Sequence, residues 1–339
     1  MRILLTGGCG FIGSGFVRLA RARGHEVVNL DKLTYAGNPA NVAEFEGTDG
    51  YRFVHGDIGD PEAVADAMRG VDLVVNMAAE THVDRSILDP AAFPMTDVVG
   101  TANLLDQARR AGVGRFVQVS TDEVYGSVPS GAFRETDPLE PSSPYSASKA
   151  GGDLQVLAWH RTYGMDVVIT RGSNTYGPRQ YPEKLIPLFV TNLLDGQQVP
   201  VYGDGMQVRD WIHVDDHCAG VLFAAEHGAA GEVYNVGGGN EHPNMEITRR
   251  LLELTGRDET AIRHVEDRPG HDRRYALDTT KLRGLGWAPE RSFTDGLQDT
   301  VSWYSDHRSW WEPIKSGEYR AYYASQYGAP LAEASDRPT

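Results

Sequence analysis

Two short patterns in the chain bring together groups able to move protons. Tyr145 and Lys149 stand four residues apart in Pro144-Tyr145-Ser146-Ala147-Ser148-Lys149. Four residues of helix advance about 6 Å, so both side chains share one face. A phenol titrates near 10. A neighbouring ammonium is expected to favour phenolate and make Tyr145 a base at neutral pH, although the pattern alone is common by chance. The second pattern is Ser120-Thr121-Asp122-Glu123. Thr121 can hydrogen-bond a substrate hydroxyl. Adjacent like charges push two titrations apart, so one carboxyl can act as acid while the other acts as base. Neighbours on a regular strand point to opposite faces. Both carboxyls therefore reach one site only if the backbone turns at Asp122. Otherwise one caps the next element and the other faces water.

A third pattern suits a pyrophosphate. Gly7, Gly10 and Gly13 are spaced by three in Thr6-Gly7-Gly8-Cys9-Gly10-Phe11-Ile12-Gly13. Glycine permits a tight turn and lets backbone N–H groups at a helix N-terminus approach the ligand. A strand before, a helix after, and Asp31 at the end of a second strand complete a dinucleotide fingerprint. A carboxylate there accepts from a ribose diol and repels a 2′-phosphate, favouring NAD over NADP; Lys32 beside it weakens that preference slightly. Asp57, after the next strand, either reaches the adenine or caps a helix.

These groups need a scaffold. Short apolar β runs at 2–6, 26–30, 51–55, 72–76, 115–119 and 167–170 alternate with helical spacing at 11–23, 61–69, 92–111 and 144–163. Strand–helix repetition argues for a parallel sheet covered on both faces, and right-handed crossovers make it doubly wound. The expected fold class is α/β, a Rossmann-type sheet over 1–171 with return segments near 213–236. A smaller, irregular substrate domain follows over 172–330, and a frayed tail over 331–339. Trp303, Trp310 and Trp311 read as C-terminal packing. His213, His217 and Cys218 have a zinc-like spacing, but no second ligand cluster completes four, so no metal is expected.

Composition narrows the partners. Of 339 residues, 40% are hydrophobic and 23% charged, with a net charge of −15. An acidic chain repels nucleic acid and anionic membranes, so neither is an expected partner. No apolar run is long enough to span a bilayer. Two cysteines exclude a disulfide scaffold and make a cytoplasmic location the default.

On these motifs the chain resembles the extended short-chain dehydrogenase/reductases and, over nearly its whole length, the dTDP-glucose 4,6-dehydratase family. The matching segments are Gly7–Gly13, Asp31–Asn38, Ala78–Ser86, Ser120–Gly126, Ser143–Lys149, Pro182–Pro187, Arg209–Trp211 and Asp267–Tyr275. The Thr-Asp-Glu triplet is the specific part, since related epimerases and decarboxylases keep the Tyr and Lys but, as a rule, not the acid pair. Cys9, Asp97 and Thr175 depart from the usual Ala, Asn and Asn.

The resemblance implies a catalytic set of Thr121, Asp122, Glu123, Tyr145 and Lys149. Tyr145 takes the C4 hydroxyl proton, Glu123 the C5 proton, and Asp122 protonates the departing C6 hydroxyl. Gly7, Gly10, Phe11, Ile12, Gly13, Asp31, Lys32, Leu33, Thr34, Asp57, Ile58, Ala78, Ala79, Tyr145 and Lys149 are expected to hold NAD. His82, Ser86, Thr121, Asn174, Glu183, Lys184, Leu185, Arg209, Asn235, Arg268, His271 and Tyr275 are expected to line the nucleotide-sugar site. Arginine suits its diphosphate, because the guanidinium fork matches phosphate oxygens. The expected substrate is dTDP-glucose. The family also implies a homodimer through the helices over 92–111 and 144–163. The alternatives are a 4-epimerase or decarboxylase, which needs no acid at C6, and a non-catalytic dinucleotide sensor, which needs neither Tyr145 nor Lys149.

Overall fold

β-Branched and leucine-rich runs of four to seven residues form the centre of the molecule, a seven-stranded parallel sheet. Its strands are β1 (Arg2–Thr6), β2 (Glu26–Asp31), β3 (Tyr51–His55), β4 (Leu73–Asn76), β5 (Arg115–Thr121), β6 (Val167–Gly172) and β7 (Glu232–Val236). They lie in the order β7-β6-β5-β4-β1-β2-β3, each pair parallel. The computed structural model describes residues 1–267 and 271–327.

Both faces of the sheet are covered, which is why its strands are apolar without alternation. On one face Phe16, Val17 and Ala20 of α1 (Phe11–Ala22) pack with Ile3, Leu5 and Val75. On the other, Leu104, Leu105, Ala108 and Val156 pack on Leu4, Val74 and Phe116. Val156 belongs to the long helix α2 (Pro144–Tyr163). The chain returns to this half through α3 (Val214–His227), whose Val221 and Leu222 join the first face, and through β7. On α3, Cys218 packs in this core and its Sγ donates to Ile12 O, while the His217 ring, which meets Thr175 Oγ1 at 2.7 Å, lies at the edge of the crevice described below.

A separate core lies in the second half, around Tyr176, Leu188, Phe189, Leu251, Leu297 and Trp311. Trp303 and Trp310 pack against it. Trp310 Nε1 also donates to Asn41 Oδ1 at 3.0 Å, tying the halves together. Small sheets of three and two strands frame this core.

The helical run expected over 92–111 is interrupted. It comprises a single turn Ala92–Pro94, a π-helical turn Met95–Gly100 and an α-helix Thr101–Ala111. The widened turn buries Asp97 against α2, where Ser148 Oγ donates to its Oδ2 at 2.5 Å. Neighbouring strands end level, with Thr6 opposite Asn76 and Thr121 opposite Gly172. The carboxyl ends therefore form one rim, and β1 lies between β4 and β2, where the winding reverses and a crevice opens.

Candidate active site

A cavity of about 300 Å³ occupies that rim. It is lined by Gly7 after β1, Asp31 ending β2, Gly56 and Asp57 after β3, Ala78 and Ala79 after β4, Thr121 ending β5, and Gly172 ending β6. A smaller cavity of about 140 Å³ opens beside it in the second half. Glu123, Asn174, Glu183 and Lys184 line both, so the two meet at Glu123.

The glycine loop fits a dinucleotide pyrophosphate. Gly7 has φ +71°, and a Cβ there would lie 2.9 Å from the Ala78 nitrogen. A Cβ on Gly13 would lie 2.1 Å from the Gly7 carbonyl oxygen. Only glycine lets α1 start this close to the loop, with Gly10 as N-cap. Asp31 braces the same loop. Its Oδ2 accepts from the Cys9 N–H and its Oδ1 from the Leu33 N–H, both at 2.8 Å. Burial pushes its carboxyl up, against those two hydrogen bonds. Lys32 Nζ is bound to Asp57 Oδ2 at 2.7 Å, so its charge is neutralised beside Asp31. Asp57 does not cap a helix; Asp60 caps Pro61–Ala67 instead.

Of the expected cofactor residues, Leu33 alone does not line the larger cavity; with φ +56° it turns the chain and donates its N–H to Asp31. Glu80, Thr81, Gln180 and Tyr181 also line it and were not anticipated. Glu80 and Thr81 fall inside the Ala78–Ser86 segment, which was legible as a unit. Gln180 and Tyr181 follow Pro178 in a stretch without periodicity.

The catalytic candidates converge from two elements. Ser143 caps α2, accepting from Ser146 N at 3.1 Å, and Pro144 opens its first turn. Tyr145 and Lys149 then face the cavity. β5 ends in a 3₁₀ turn, Asp122–Tyr125, with Thr121 Oγ1 accepting from the Glu123 N–H at 3.3 Å. The turn starts at Asp122, as the acid pair requires, and both carboxyls line the larger cavity. Thr121 Oγ1 donates to Asp122 Oδ1 at 3.2 Å. Asp122 is 2% exposed. Burial first, then the Glu123 carboxylate, pushes its carboxyl well above the usual range.

The expectation for Tyr145 needs correction. Its phenol is pushed up, not down. Burial is the largest cause, followed by the charges of Glu123, Asp97 and Asp122; a hydrogen bond with Thr121 opposes them. Lys149 Nζ is turned to the Val119 carbonyl at 2.9 Å. Helical spacing put the two residues on one face, but packing directs the ammonium to the strand.

The nucleotide-sugar candidates divide. His82, Asn174, Glu183, Lys184, Leu185, Arg209, His271 and Tyr275 line the smaller cavity. The Arg209 guanidinium stacks 4.2 Å over the Tyr275 ring and donates to the carbonyls of Val208 and Asp272. Two candidates line neither cavity. Ser86 Oγ donates to the Val83 carbonyl at 2.6 Å inside its own helical turn. Asn235 is fully buried; it accepts from Tyr125 Oη at 2.8 Å and donates to the carbonyls of Phe133 and Asp278. Both brace the walls. Arg268 lies outside the described residues. Asp84, Tyr202, Trp211, Asn244, Thr248 and Tyr327 line the smaller cavity without having been singled out.

No described helix is long and apolar enough to cross a membrane. Comparison with known proteins agrees with the site. A family model for GDP-mannose 4,6-dehydratase matches residues 4–300. A dTDP-glucose 4,6-dehydratase of Streptomyces niveus is 56% identical, with 93% of this chain and 96% of that protein covered. Its counterpart in Escherichia coli is 44% identical, with 94% and 98% covered. DesIV, a dTDP-glucose 4,6-dehydratase of Streptomyces venezuelae crystallised with NAD, superposes with a TM-score of 0.91 at 57% identity, over 93% of this chain and all of that one. An acid pair at the junction of a dinucleotide crevice and a second cavity, with relatives this similar along their whole length, places the chain in the GDP-mannose 4,6-dehydratase family, among its dTDP-glucose 4,6-dehydratases.

Proposed function

We propose that the protein is an NAD-dependent hydro-lyase that converts dTDP-glucose to dTDP-4-keto-6-deoxyglucose. The observation that carries this reading is Asp122, a buried carboxyl pushed up beside Glu123 where the two cavities meet. An epimerase or decarboxylase has no use for a neutral acid there.

The larger cavity suits NAD. Backbone N–H groups of the Gly7–Gly13 loop face the pyrophosphate, and Asp31 takes the adenosine ribose. Bound there, NAD would supply a reversible hydride acceptor for the sugar's C4 and C6, and its positive ring would favour the Tyr145 phenolate. Tyr145 takes the C4 hydroxyl proton, with Thr121 hydrogen-bonded to the same oxygen. The ketone at C4 acidifies the C5 hydrogen. Glu123 removes that proton, Asp122 donates its own to the C6 hydroxyl, which leaves as water, and Glu123 gives its proton back to C5 as hydride adds at C6. Lys149, held to Val119, places the nicotinamide ribose. The smaller cavity takes the nucleotide, with Arg209 beside the diphosphate in an otherwise acidic protein.

The same reading divides the chain into a dinucleotide half, 1–171 with the returning 213–236, and a nucleotide-sugar half, 172–330. It extends to a cytoplasmic homodimer. Met95, Val99 and Leu154 are 61%, 50% and 59% exposed on the adjoining Met95–Gly100 turn and α2, an apolar face of the kind that pairs. The deciding experiment is incubation with dTDP-glucose and with UDP-glucose, following the absorbance of the 4-keto-6-deoxy product in base. Absence of that chromophore with both substrates refutes the reading, and sedimentation tests the dimer.

A further inference from the structure

The last helix, α4 (Glu318–Tyr327), carries none of the motifs above, yet it packs against the wall of the smaller cavity. Two rows of side chains run along it, each spaced by four residues. Tyr319, Tyr323 and Tyr327 are buried in the second-half core. Tyr319 Oη donates to the Pro182 carbonyl at 2.6 Å, and Tyr323 Oη accepts from Asn192 at 3.2 Å. This row anchors the helix.

Tyr322 and Gln326 form the other row, which meets residues of the cavity wall from behind. Tyr322 Oη lies 3.1 Å from His82 Nδ1. His82 is 6% exposed and has φ +81°, a conformation that a non-glycine residue keeps only when its surroundings impose it. The Arg85 guanidinium is sandwiched between the rings of Tyr322 and Tyr35, at 4.6 and 3.7 Å. Arg85 Nε donates to Glu183 Oε2 at 2.8 Å. Gln326 Nε2 donates to Tyr202 Oη at 2.7 Å. His82, Glu183 and Tyr202 all line the smaller cavity, whereas Tyr322 lines neither.

We propose that Tyr322 is a positioning residue of the nucleotide-sugar subsite. Its hydroxyl holds the His82 ring and its face holds Arg85 against Glu183. The last helix thereby sets how tightly the sugar nucleotide binds, while the dinucleotide and the proton-moving groups are left as they are. The proposal rests on the dehydratase reading above.

Tyr322→Phe, Tyr322→Leu and, on the anchoring row, Tyr323→Phe are assayed with dTDP-glucose as the varied substrate. Bound NAD(H) is measured after denaturation. Tyr322→Phe loses one neutral hydrogen bond and is expected to raise KM about 3- to 10-fold. Tyr322→Leu also loses the cation–π face, and KM rises about 10- to 100-fold. The kcat of both stays within about threefold of wild type, NAD(H) content is unchanged, and Tyr323→Phe keeps the wild-type KM. A folded Tyr322→Leu enzyme with wild-type KM overturns the proposal, as does a loss of kcat or of NAD(H) at constant KM. If the leucine variant does not fold, Tyr322→Phe decides by the same criterion. A wild-type protein inactive on dTDP-glucose refutes the dehydratase reading instead; titration of wild type and Tyr322→Phe with dTDP then tests the positioning role through the same change in affinity.

Discussion

Asp97→Asn isolates one buried charge beside the catalytic pair. Asp97 is 2% exposed in the π-helical turn, and its carboxyl is pushed up from 3.8 to about 6. Burial is the main cause; Lys149 and the Ser148 hydroxyl pull the other way. A folded-state value raised above the unfolded one means that the native state holds this proton more tightly. The associated stability is present in full below about pH 4 and is lost as pH rises through about 6. At about 1.4 kcal/mol per pKa unit, the ionised carboxylate costs about 3 kcal/mol at neutral pH, and about half of that is already lost by pH 5. Asparagine has the same shape and keeps an oxygen for Ser148, but does not ionise. Any fixed cost of its amide is independent of pH. Relative to wild type, Asp97→Asn should therefore gain about 2 kcal/mol between pH 4.5 and pH 8. For a chain of this length that is roughly 3 °C in Tm. Thermal melts from pH 4.5 to 8, at fixed protein and NAD concentrations, measure it. A Tm difference constant to about 1 °C across that range, or one growing in the opposite direction, would refute the account of Asp97. The same charge raises the Tyr145 phenol, so the acid limb of kcat against pH should also move to lower pH in the variant.

Gly13→Ala places a Cβ 2.1 Å from the Gly7 oxygen and 2.8 Å from the Gly8 Cα, both backbone. It should destabilise by about 1–3 kcal/mol and yield protein without the tightly bound NAD(H) expected of wild type, as supernatant analysis after denaturation would reveal. Asp31→Ala should weaken NAD binding about 10- to 150-fold by titration; an unchanged affinity in folded protein would show that Asp31 neither contacts the ribose nor braces the loop. Tyr145→Phe should slow every step. Glu123→Gln should retain some C4 oxidation but lose exchange of the C5 hydrogen with deuterated solvent. Asp122→Asn should retain that exchange and release little water, each acid–base substitution costing about 10²–10⁴-fold in its own step. Fluoride at C6 departs without protonation, so a 6-fluoro substrate should rescue Asp122→Asn far more than Glu123→Gln, and equal rescue would mean that the two roles are misassigned.

Groups that act over a few neighbouring residues were legible in the sequence, because local spacing alone sets their geometry. The glycine triplet needs only a turn and the helix start that follows it, and Tyr145 and Lys149 need only one helical turn to share a face. Alternating strands and helices likewise imply a parallel sheet covered on both sides, whose carboxyl ends form a rim. Burial and long-range approach are not encoded in spacing. The upward displacement of the Asp122 carboxyl follows from burial in a cavity closed by segments more than a hundred residues apart. The upward displacement of the Tyr145 phenol depends on burial and on Glu123 and Asp97, which reach it from the turn after β5 and from the π-helical turn. Ser86 lies in a segment that resembles a site segment and Asn235 was expected to line the site, yet their side chains complete hydrogen bonds within the walls, a choice made by which backbone groups the packing leaves nearby. The link from Tyr322 through His82 and Arg85 to Glu183 spans some 240 residues of sequence. Folding alone brings it together, because the apolar face of the last helix must be buried, and burying it sets the helix against the cavity wall.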